Sequence, residues 1–482
     1  MNNDRRKFLK NVAIGGSALA AGLPAMAGII PTTDQEIENS LQLQKQGQRF
    51  NMCGYAAPKL DKVRIGVIGL GQRGSEAVSR LSYIDGVEIT ALCDKYPDRV
   101  SASQKTLADM KRPKAKEYSG EEGWKALCES NEVDLVYTPT PWHLHTPIAV
   151  YAMKHGKHAA SEVPACKTID ECWELVETSE KTKQHCMMLE NCCYDFFELL
   201  TLNLVRQGML GEIVHAEGAY IHDLSKDWLF NKNAYADMWR LKENIGHNGN
   251  LYPTHGLGPV AQCMNINRGD KFDRLVSMSS IDFTLGKMAD EMAAKDEFFK
   301  PFTGQSYRGN MNTTMIQTNK GRTIMIQHDV STPRPYSRIH LVSGTKGVAQ
   351  KWPGPERIAF GHSWIKKEAL DDLYAKYSPA IVNHIGKIAK DVGGHGGMDF
   401  IMDWRLVDCL RNGLPLDQDV YDAASWSCLV PLSQRSVAKR SSSVEIPDFT
   451  RGAWVNNKPV NLTLDGGGNT GVRNEKPELK MK

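Results

Sequence analysis

The chain has 482 residues, which is long enough for two ordinary domains with full cores. Its hydrophobic content of 41% and charged content of 24% are those of a globular protein and exclude an intrinsically disordered chain. The formal net charge is +3, and the basic residues near the N-terminus account for it, so the remainder is close to neutral. A neutral body gives no electrostatic basis for binding nucleic acid or an anionic membrane.

The first 27 residues are predicted to be a targeting segment. Arg5-Arg6-Lys7-Phe8-Leu9-Lys10 resembles a twin-arginine export motif, a weakly apolar run follows over residues 12–23, and Ala25-Met26-Ala27 fits a small-residue cleavage site. The run is too short and too rich in Gly and Ala to span a bilayer, and no later stretch is long enough. We therefore expect a twin-arginine signal peptide, a mature chain exported to the periplasm, and no membrane span.

Eleven cysteines are present, an odd number at spacings that match no zinc pattern. Because the twin-arginine route exports proteins already folded in the reducing cytoplasm, most are predicted to be small buried hydrophobes such as Cys93. The sequence leaves their pairing open.

Residues 28–60 are polar without clear periodicity and are interpreted as a linker or surface arm. From residue 61 to 190, short apolar runs alternate with amphipathic helical stretches, for example over residues 75–84. This pattern predicts a parallel βαβ sheet, a Rossmann domain. The predicted strands are residues 63–68, 87–93, 133–138 and 158–161.

Residues 191–482 have a different pattern and are predicted to form a substrate-binding domain. A helix over 195–207 precedes a strand over 213–220, and the later strands are longer and alternating, with a hairpin turn at Asn319-Lys320-Gly321. Helices return over 396–410 and 420–439. The predicted fold class is α/β, an N-terminal Rossmann domain followed by an α/β domain with a largely antiparallel open sheet. The later strands are 275–283, 313–318, 323–327 and 338–343.

A glycine loop directly follows the first strand and opens a helix. Gly69 permits the tight turn, Gly71 lets the backbone approach a pyrophosphate, and Gly74 allows the helix to pack closely on the strand. Asp94 ends the second strand, where a carboxylate accepts hydrogen bonds from the adenosine ribose and repels a 2′-phosphate. NAD is therefore favoured, while Arg73 keeps NADP open as an alternative.

The loop after the third predicted strand faces the same crevice. Trp142 is expected to supply an apolar wall, and His145 a hydrogen-bond donor to a phosphate or ribose; a core tryptophan and a loop-capping histidine are equally consistent with the sequence. His143 and His145 lack a carboxylate or cysteine partner at a useful spacing, so no metal site is predicted.

Several motifs together resemble one enzyme superfamily. The glycine loop, the Thr-Pro loop after the third strand, Ser161-Glu162-Val163-Pro164 and residues 208–213 resemble the glucose–fructose oxidoreductase and inositol dehydrogenase superfamily. Four longer runs resemble one branch of it, glycoside hydrolase family 109, the NAD-dependent α-N-acetylgalactosaminidases. These are Asn191-Cys192-Cys193-Tyr194, residues 250–256, Arg334-Pro335-Tyr336 and residues 394–399.

One departure from the superfamily is informative. Its dehydrogenases usually have Glu-Lys-Pro after the fourth strand, and that lysine assists alcohol oxidation, whereas this chain has Val163 at the lysine position. Valine cannot transfer a proton, which favours the glycosidase branch over a plain dehydrogenase.

The resemblance implies particular contacts. A sugar needs hydrogen-bonding groups and a flat apolar face, which Tyr, His and Arg provide. Tyr220 lies on a strand and is equally consistent with a core position, and Tyr194 and His395 are further candidates. The implied NAD contacts, beyond Gly69, Gly71 and Gly74, are Gln72, Arg73, Asp94, Trp142, His145, Glu162, Val163, Asn191 and Tyr252. The implied sugar contacts are Tyr220, Arg240, Tyr252, Pro253, Thr254, His255 and Tyr336.

Three functions follow as hypotheses. The first is a glycosidase acting on terminal α-N-acetylgalactosaminides by transient oxidation at sugar C3, elimination across C1 and C2, water addition and re-reduction. His255, Tyr252 and Tyr194 are its candidate proton-transfer residues, unranked by the sequence. The second is an NAD(P)-dependent sugar dehydrogenase or redox-neutral transhydrogenase, and the third a non-catalytic NAD- and sugar-binding protein. Export favours a redox-neutral reaction, since free NAD is not regenerated outside the cytoplasm. The number of subunits stays open, a homo-oligomer included.

Overall fold

The computed structural model of the protein describes residues 32–473. The predicted signal peptide over residues 1–27 lies outside these residues. Within residues 32–473, no helix has the length and apolar character needed to cross a membrane.

The N-terminal half alternates strands and helices after one leading helix. In chain order its elements are α1 (Asp34–Leu43), β1 (Val63–Ile68), α2 (Gln72–Leu81), β2 (Val87–Asp94), α3 (Pro97–Asp109), β3 (Lys116–Ser119), α4 (Gly123–Glu129), β4 (Leu135–Thr138), α5 (His145–Lys154), β5 (His158–Ser161), α6 (Ile169–Thr182) and β6 (Cys186–Met188).

These six strands form one parallel sheet in the order β3-β2-β1-β4-β5-β6. This is the strand order of a Rossmann fold, and the order reverses between β1 and β4, where such folds bind their ligands. The four predicted strands are confirmed. Two were missed, because β3 has the polar sequence Lys-Glu-Tyr-Ser at the sheet edge and β6 has only three residues.

The leading helix α1 was not predicted, and the interpretation of residues 28–60 as a linker or arm overlooked it. Thr33 and Glu36 form a capping box at its start. Ile37 and Ser40 are buried, and the Trp173 indole on α6 donates to the Ser40 hydroxyl over 2.5 Å. Few apolar positions mark this helix in the sequence, so the capping box was the only local indication of it.

The C-terminal half begins with a helix and a long central strand. Its elements are α7 (Phe196–Arg206), β7 (Ile213–Ile221), α8 (Trp239–Glu243), α9 (Thr254–Cys263), β8 (Phe272–Ser279), α10 (Leu285–Lys295), β9 (Asn312–Thr318), β10 (Thr323–Asp329), β11 (Leu341–Gly344), β12 (Val348–Gln350), β13 (Arg357–Ala359), α11 (Lys367–Tyr377), α12 (Ala380–Val392), α13 (Met398–Asn412), α14 (Val420–Ser427), α15 (Leu429–Ala438) and β14 (Val444–Glu445).

The eight strands form a second sheet in the order β13-β12-β11-β7-β10-β9-β8-β14. All neighbours pair antiparallel except β7 and β10, which confirms the largely antiparallel sheet. The hairpin predicted at Asn319-Lys320-Gly321 joins β9 to β10. The single helix predicted over 420–439 is two helices, α14 and α15, that meet at Cys428.

The chain returns to its first domain near its end. Val472 forms a β-bridge with Ile84, and the Trp404 indole of α13 donates to the Thr470 carbonyl. All but Cys53 of the eleven cysteines are buried, as the sequence predicted for most of them, and all eleven are free, which the sequence had left open.

Candidate active site

Two glycines of the loop, Gly69 and Gly74, are crowded by neighbouring atoms, and the third, Gly71, has open space beside it. A Cβ on Gly74 would lie 1.8 Å from the Gly69 carbonyl oxygen, and Gly69 itself has φ +94. A Cβ on Gly71 would meet nothing nearer than 3.6 Å. The loop therefore needs Gly69 and Gly74 for its own conformation, while the space beside Gly71 is left for a ligand. A dinucleotide pyrophosphate fits this cradle at the start of α2.

Asp94 is buried at the end of β2. One carboxylate oxygen accepts from the Leu70 amide over 2.6 Å and the other from the Tyr96 amide over 2.9 Å. These bonds fix the carboxylate beside the glycine loop, where a ribose hydroxyl would be recognised.

Arg73 does not offer its charge to a phosphate. Its guanidinium donates to Glu162 over 2.5 Å and to Asp399 over 2.5 Å. Both carboxylates hold the Arg73 pKa well above the ordinary value, although burial alone would lower it. The alternative in which Arg73 selects NADP is therefore not supported.

The Asp399 carboxylate contacts further predicted site residues. Its carboxylate accepts from the Asn191 amide over 2.5 Å and lies 2.9 Å from the His395 Nδ1 atom. Arg73, Asn191 and His395 thus all contact one fully buried acid on α13, and Glu162 joins them through Arg73. Asp399 belongs to the motif of residues 394–399, but the motif alone indicates no role for it.

His145 and Trp142 occupy different environments in the same loop. The two His145 ring nitrogens lie 2.7 Å from the Pro164 carbonyl and 2.8 Å from the Thr140 carbonyl, so neither is free for a cofactor. The loop-capping interpretation of His145 is the one that the structure supports. Trp142 instead stacks on Tyr252 with ring centroids 5.6 Å apart, which places it between the first domain and the predicted sugar residues.

Most of the predicted sugar residues come together. We call Trp142, Tyr220, Tyr252 and Tyr336 the aromatic cluster. Tyr220 lies 4.7 Å from Tyr252 and 6.3 Å from Tyr336 between ring centroids. The Arg240 guanidinium lies 5.0 Å from the Tyr252 ring and donates to another tyrosine, Tyr235, over 2.7 Å. The cluster offers flat faces and hydrogen-bonding groups in one place, as a sugar requires.

The cluster depends on an unusually close contact between α9 and β7. A Cβ on Gly218 would lie 2.3 Å from the Gly256 carbonyl oxygen, and a Cβ on Gly256 would lie 2.2 Å from the Ala219 nitrogen. Because neither position has room for a side chain, the start of α9 is held directly against β7. That contact brings Tyr252 and His255 to Tyr220.

His255 is oriented by an acid for which the sequence predicted no role. Its Nδ1 atom lies 2.7 Å from the carboxylate of Glu190, which has no exposed surface. Burial raises the Glu190 pKa, but the His255 ring and the hydrogen bonds to the carboxylate outweigh this effect and keep the pKa below its ordinary value. We call Glu190 and His255 the inner pair. Glu190 follows β6, so missing this strand concealed its place at the carboxyl edge of the sheet.

Three other predicted site residues, Tyr194, Pro253 and Thr254, have contacts that indicate a structural role. The Tyr194 hydroxyl donates to Asp417 over 3.4 Å, and Tyr194 is not among the ring contacts of Tyr252 and His255 within residues 32–473. Pro253 precedes α9 and Thr254 is its first residue, both buried. Tyr194 is therefore placed away from the inner pair, and the other two position the start of the helix.

One group of three potential metal ligands occurs within residues 32–473, formed by Glu190, Cys192 and His255. Glu190 and His255 already satisfy each other, and burial raises the Cys192 pKa well above the ordinary thiol value. A protonated thiol is a poor metal ligand. The arrangement suits a carboxylate-oriented histidine better than an ion.

A cavity of about 930 Å³ opens beside the aromatic cluster. Tyr336 and Trp352 line one part of it, and His395 and Gly396 line another. Of the predicted sugar residues only Tyr336 is part of this lining, and His395 connects the lining to Asp399 and Arg73.

Comparison with known families agrees with this geometry. Residues 63–190 match an oxidoreductase family with an NAD-binding Rossmann fold, and residues 194–456 match the glycosyl hydrolase 109 C-terminal domain. The chain belongs to glycoside hydrolase family 109. It is 46% identical over 462 residues to glycosyl hydrolase family 109 protein 1 of Bacteroides fragilis (strain YCH46), an alignment that covers 91% of this chain and 96% of the relative.

A second relative is named for its activity. An α-N-acetylgalactosaminidase of Bacteroides fragilis (strain ATCC 25285) is 50% identical over 416 residues, covering 85% of this chain and 97% of the relative. Solved structures share the fold at lower identity. A levoglucosan dehydrogenase in complex with NADH and levoglucosan matches with a TM-score of 0.59 at 17% identity, over 80% of this chain and all of that one.

The family membership and the geometry of the site indicate the same class of enzyme. This family 109 chain is a glycoside hydrolase with an NAD-binding Rossmann domain, and its glycine loop fits the dinucleotide. The site also contains a histidine, His255, whose ring is held against a buried acid, Glu190.

Proposed function

We propose that this enzyme hydrolyses terminal α-N-acetylgalactosaminides with retained NAD and no net redox change. The observation that supports this most is the position of the inner pair. His255, with its Nδ1 atom against Glu190, lies 4.9 Å from Tyr252 between ring centroids, and Tyr252 in turn stacks on the Trp142 wall of the cofactor domain. The α-N-acetylgalactosaminidase at 50% identity supports the choice of sugar.

NAD, when bound, would supply a reversible oxidation at sugar C3, which acidifies the proton on C2. His255 then removes that proton, because the Glu190 carboxylate orients its ring and stabilises the imidazolium that forms. The electron pair left on C2 forms the C1–C2 double bond as the C1–O bond breaks, and the aglycone oxygen leaves with the electron pair of that bond. Water later adds its OH to C1, its proton balances the charge on the aglycone oxygen, and His255 returns its proton to C2. Return of the hydride to C3 would then restore the starting oxidation state.

Tyr252 would share the proton transfer at C3. Burial raises its pKa well above the ordinary phenol value, so its hydroxyl stays protonated and would donate to the C3 oxygen when the carbonyl there is reduced again. Arg240 beside its ring, together with Tyr220 and Tyr336, would bind the sugar hydroxyls and face. The site excludes water around these groups because Tyr220 and Tyr252 are buried.

A sugar dehydrogenase or transhydrogenase is the second candidate. The fold neighbours favour it, among them an aldose-aldose oxidoreductase from Caulobacter crescentus at 17% identity and a TM-score of 0.57, covering 80% of this chain and all of that one. Val163, buried where those dehydrogenases have lysine, counts against it. A binding protein without turnover would not need the inner pair.

Export through the twin-arginine route belongs to the same proposal. The motif Arg5-Arg6-Lys7 supports it, and loading NAD before export fits an enzyme that restores its cofactor in every turnover. Fractionation of cells that express the full chain should place it in the periplasm, and Arg5→Lys with Arg6→Lys should retain it in the cytoplasm.

A panel of p-nitrophenyl glycosides tests the function directly. Without added cofactor, the purified enzyme should cleave the α-N-acetylgalactosaminide faster than the glucoside, galactoside and β-linked analogues, with no NADH accumulating. Turnover restricted to glucosides, or oxidation of free polyols with NADH accumulating, would overturn the proposal in favour of the dehydrogenase.

A further inference from the structure

A segment of the second domain lies across the cofactor crevice of the first. Residues 225–243, which we call the strap, follow β7 and include α8. A Rossmann fold binds its dinucleotide outside the carboxyl ends of the strands, across the point where the strand order reverses. The strap contacts the loops that follow β2, β4 and β5, which lie on both sides of that point. It therefore spans the crevice in which the dinucleotide binds.

Beyond β2, the strap is held by one carboxylate. An oxygen of Asp237 accepts from the Tyr96 hydroxyl over 3.0 Å and from the Lys95 amine over 3.2 Å. We call Asp237, Lys95 and Tyr96 the latch. The Tyr96 backbone amide donates to Asp94, the acid placed to recognise the ribose. The latch therefore closes beside the adenosine end of the crevice.

The other contacts of the strap are better protected from solvent. Trp239 packs edge-on against Trp142 in the loop after β4, with ring centroids 5.4 Å apart. Beyond β5, the Lys167 amine lies 2.7 Å from the Glu243 carboxylate, and these side chains are only 10% and 12% exposed. The Asp237 side chain is 58% exposed. The strap is thus anchored beyond β5, and its latch is the end that can open to solvent.

The backbone at the latch is held in an uncommon conformation. Asp237 and Met238 have φ values of +56 and +55. Left-handed backbone is tolerated by aspartate and is unfavourable for a bulky residue such as methionine. Two such residues in succession persist only where surrounding contacts hold them. Loss of the latch should therefore let this part of the strap leave its closed conformation.

The strap also carries a predicted sugar contact. The Arg240 guanidinium lies 5.5 Å from the Trp142 ring and 5.0 Å from the Tyr252 ring, and it donates to Tyr235 within the strap. Arg240 follows the left-handed Met238 by two positions. The closed latch and the placement of Arg240 in the aromatic cluster therefore belong to one conformation of the strap.

We propose that the strap is a lid that retains NAD, that Asp237 is the positioning residue that latches it, and that a bound sugar keeps it closed through Arg240. The latch concerns NAD binding alone, whereas the effect of the sugar rests on the proposed function. Loss of the cofactor between oxidation at C3 and its reversal would leave an oxidised sugar, so retention is needed most while a sugar is bound. By linkage, each ligand then raises the affinity for the other.

The rate at which bound NAD exchanges with added isotope-labelled NAD tests the latch. Asp237→Gly removes the carboxylate and suits the left-handed backbone, and we expect it to accelerate exchange about 3- to 10-fold. Asp237→Asn keeps an acceptor without the charge and should have a smaller effect. Asp227→Asn is the matched control. Asp227 is an exposed strap residue whose carboxylate makes no hydrogen bond or ion pair within residues 32–473, so its replacement should leave exchange unchanged.

Replacing the partner of Asp237 separates a latch from a general loosening of the fold. Tyr96→Phe removes one donor and should accelerate exchange in the unmodified enzyme, yet add little in the Asp237→Gly background. Unchanged exchange in Asp237→Gly, or equal acceleration by Tyr96→Phe in both backgrounds, would overturn the latch. If Asp237→Gly does not fold, Asp237→Asn combined with Tyr96→Phe gives the same comparison.

Free N-acetylgalactosamine tests the coupling to the sugar. At saturation it should slow NAD exchange in the unmodified enzyme and bring the rate of Asp237→Gly back toward the unmodified value. No effect on exchange in an enzyme that hydrolyses the p-nitrophenyl α-N-acetylgalactosaminide would overturn the coupling. An enzyme that cleaves no glycoside would instead overturn the proposed function, while the exchange rates of the Asp237 and Tyr96 variants would still decide the latch.

Discussion

The cofactor side and the sugar side of this active site are built in different ways. On the cofactor side, backbone geometry dominates, since Gly69 and Gly74 have no room for a Cβ and Asp94 is fixed by two amides. On the sugar side, the chemistry comes from side chains such as His255 and Tyr336, which are far apart in the sequence. Adding a methyl group to a glycine should therefore impair the cofactor side, whereas removing a functional group should impair the sugar side.

The glycine loop gives the largest expected effect. Gly74→Ala places a Cβ 1.8 Å from the Gly69 carbonyl, so the turn must open; we expect complete loss of bound NAD and of hydrolysis, with a lower Tm. Gly71→Ala is the matched control for stability. Its Cβ meets nothing nearer than 3.6 Å, so the nucleotide-free protein should keep its Tm while binding less NAD. Equal Tm losses in the two variants would contradict this account of the loop.

Removing the inner histidine should affect rate without affecting the cofactor. His255→Ala deletes the group proposed to move the C2 proton and should lower kcat by about 10²–10⁴-fold. Nucleotide released on denaturation should be unchanged, because His255 contacts Glu190 and not the glycine loop. A kcat within a few-fold of the unmodified enzyme would show that another residue does the proton transfer.

Replacing Asp94 should have an intermediate effect, and that effect should be confined to NAD binding. Asp94→Ala removes hydrogen bonds to the ribose worth about 1.5–3 kcal/mol for a charged partner, or roughly 10- to 150-fold in NAD affinity. Titration of the nucleotide-free variant with NAD measures this loss. An unchanged Kd would mean that the ribose binds elsewhere.

Tyr194 should have the smallest effect. Tyr194→Phe removes only a hydroxyl whose bond to Asp417 is 3.4 Å long, so kcat should fall by less than about 3-fold and Tm should change little. A loss comparable to that of His255→Ala would restore Tyr194 as a candidate base.

The contrast between backbone geometry on the cofactor side and side chains on the sugar side explains which parts of the site the sequence could predict. Four of the six Rossmann strands, the glycine loop and Asp94 follow local patterns, and these lie where the pattern placed them. Glu190 could not be found in this way, because its role appears only when a three-residue strand and α9 come together. The motif resemblance named Tyr220, Tyr252 and Tyr336, but the meeting of Tyr220 with Tyr252 depends on the tight contact between Gly218 and Gly256.

Arg73 and His145 show the opposite situation. Each stands at a position that suggests a cofactor contact, yet their polar atoms are taken by partners distant in the chain or on the neighbouring loop. Sequence position near a binding site does not tell whether a side chain faces the ligand or holds the structure behind it.

Hydrolysis of an α-N-acetylgalactosaminide in D2O tests the central claim most directly. If C3 is oxidised transiently and C2 loses its proton, the released sugar should contain deuterium at C2, and no NADH should accumulate. Deuterium at C2 of substrate or at C3 should also slow turnover. A product with hydrogen at C2, together with no isotope effect from either position, would contradict the role proposed for the cofactor and for His255.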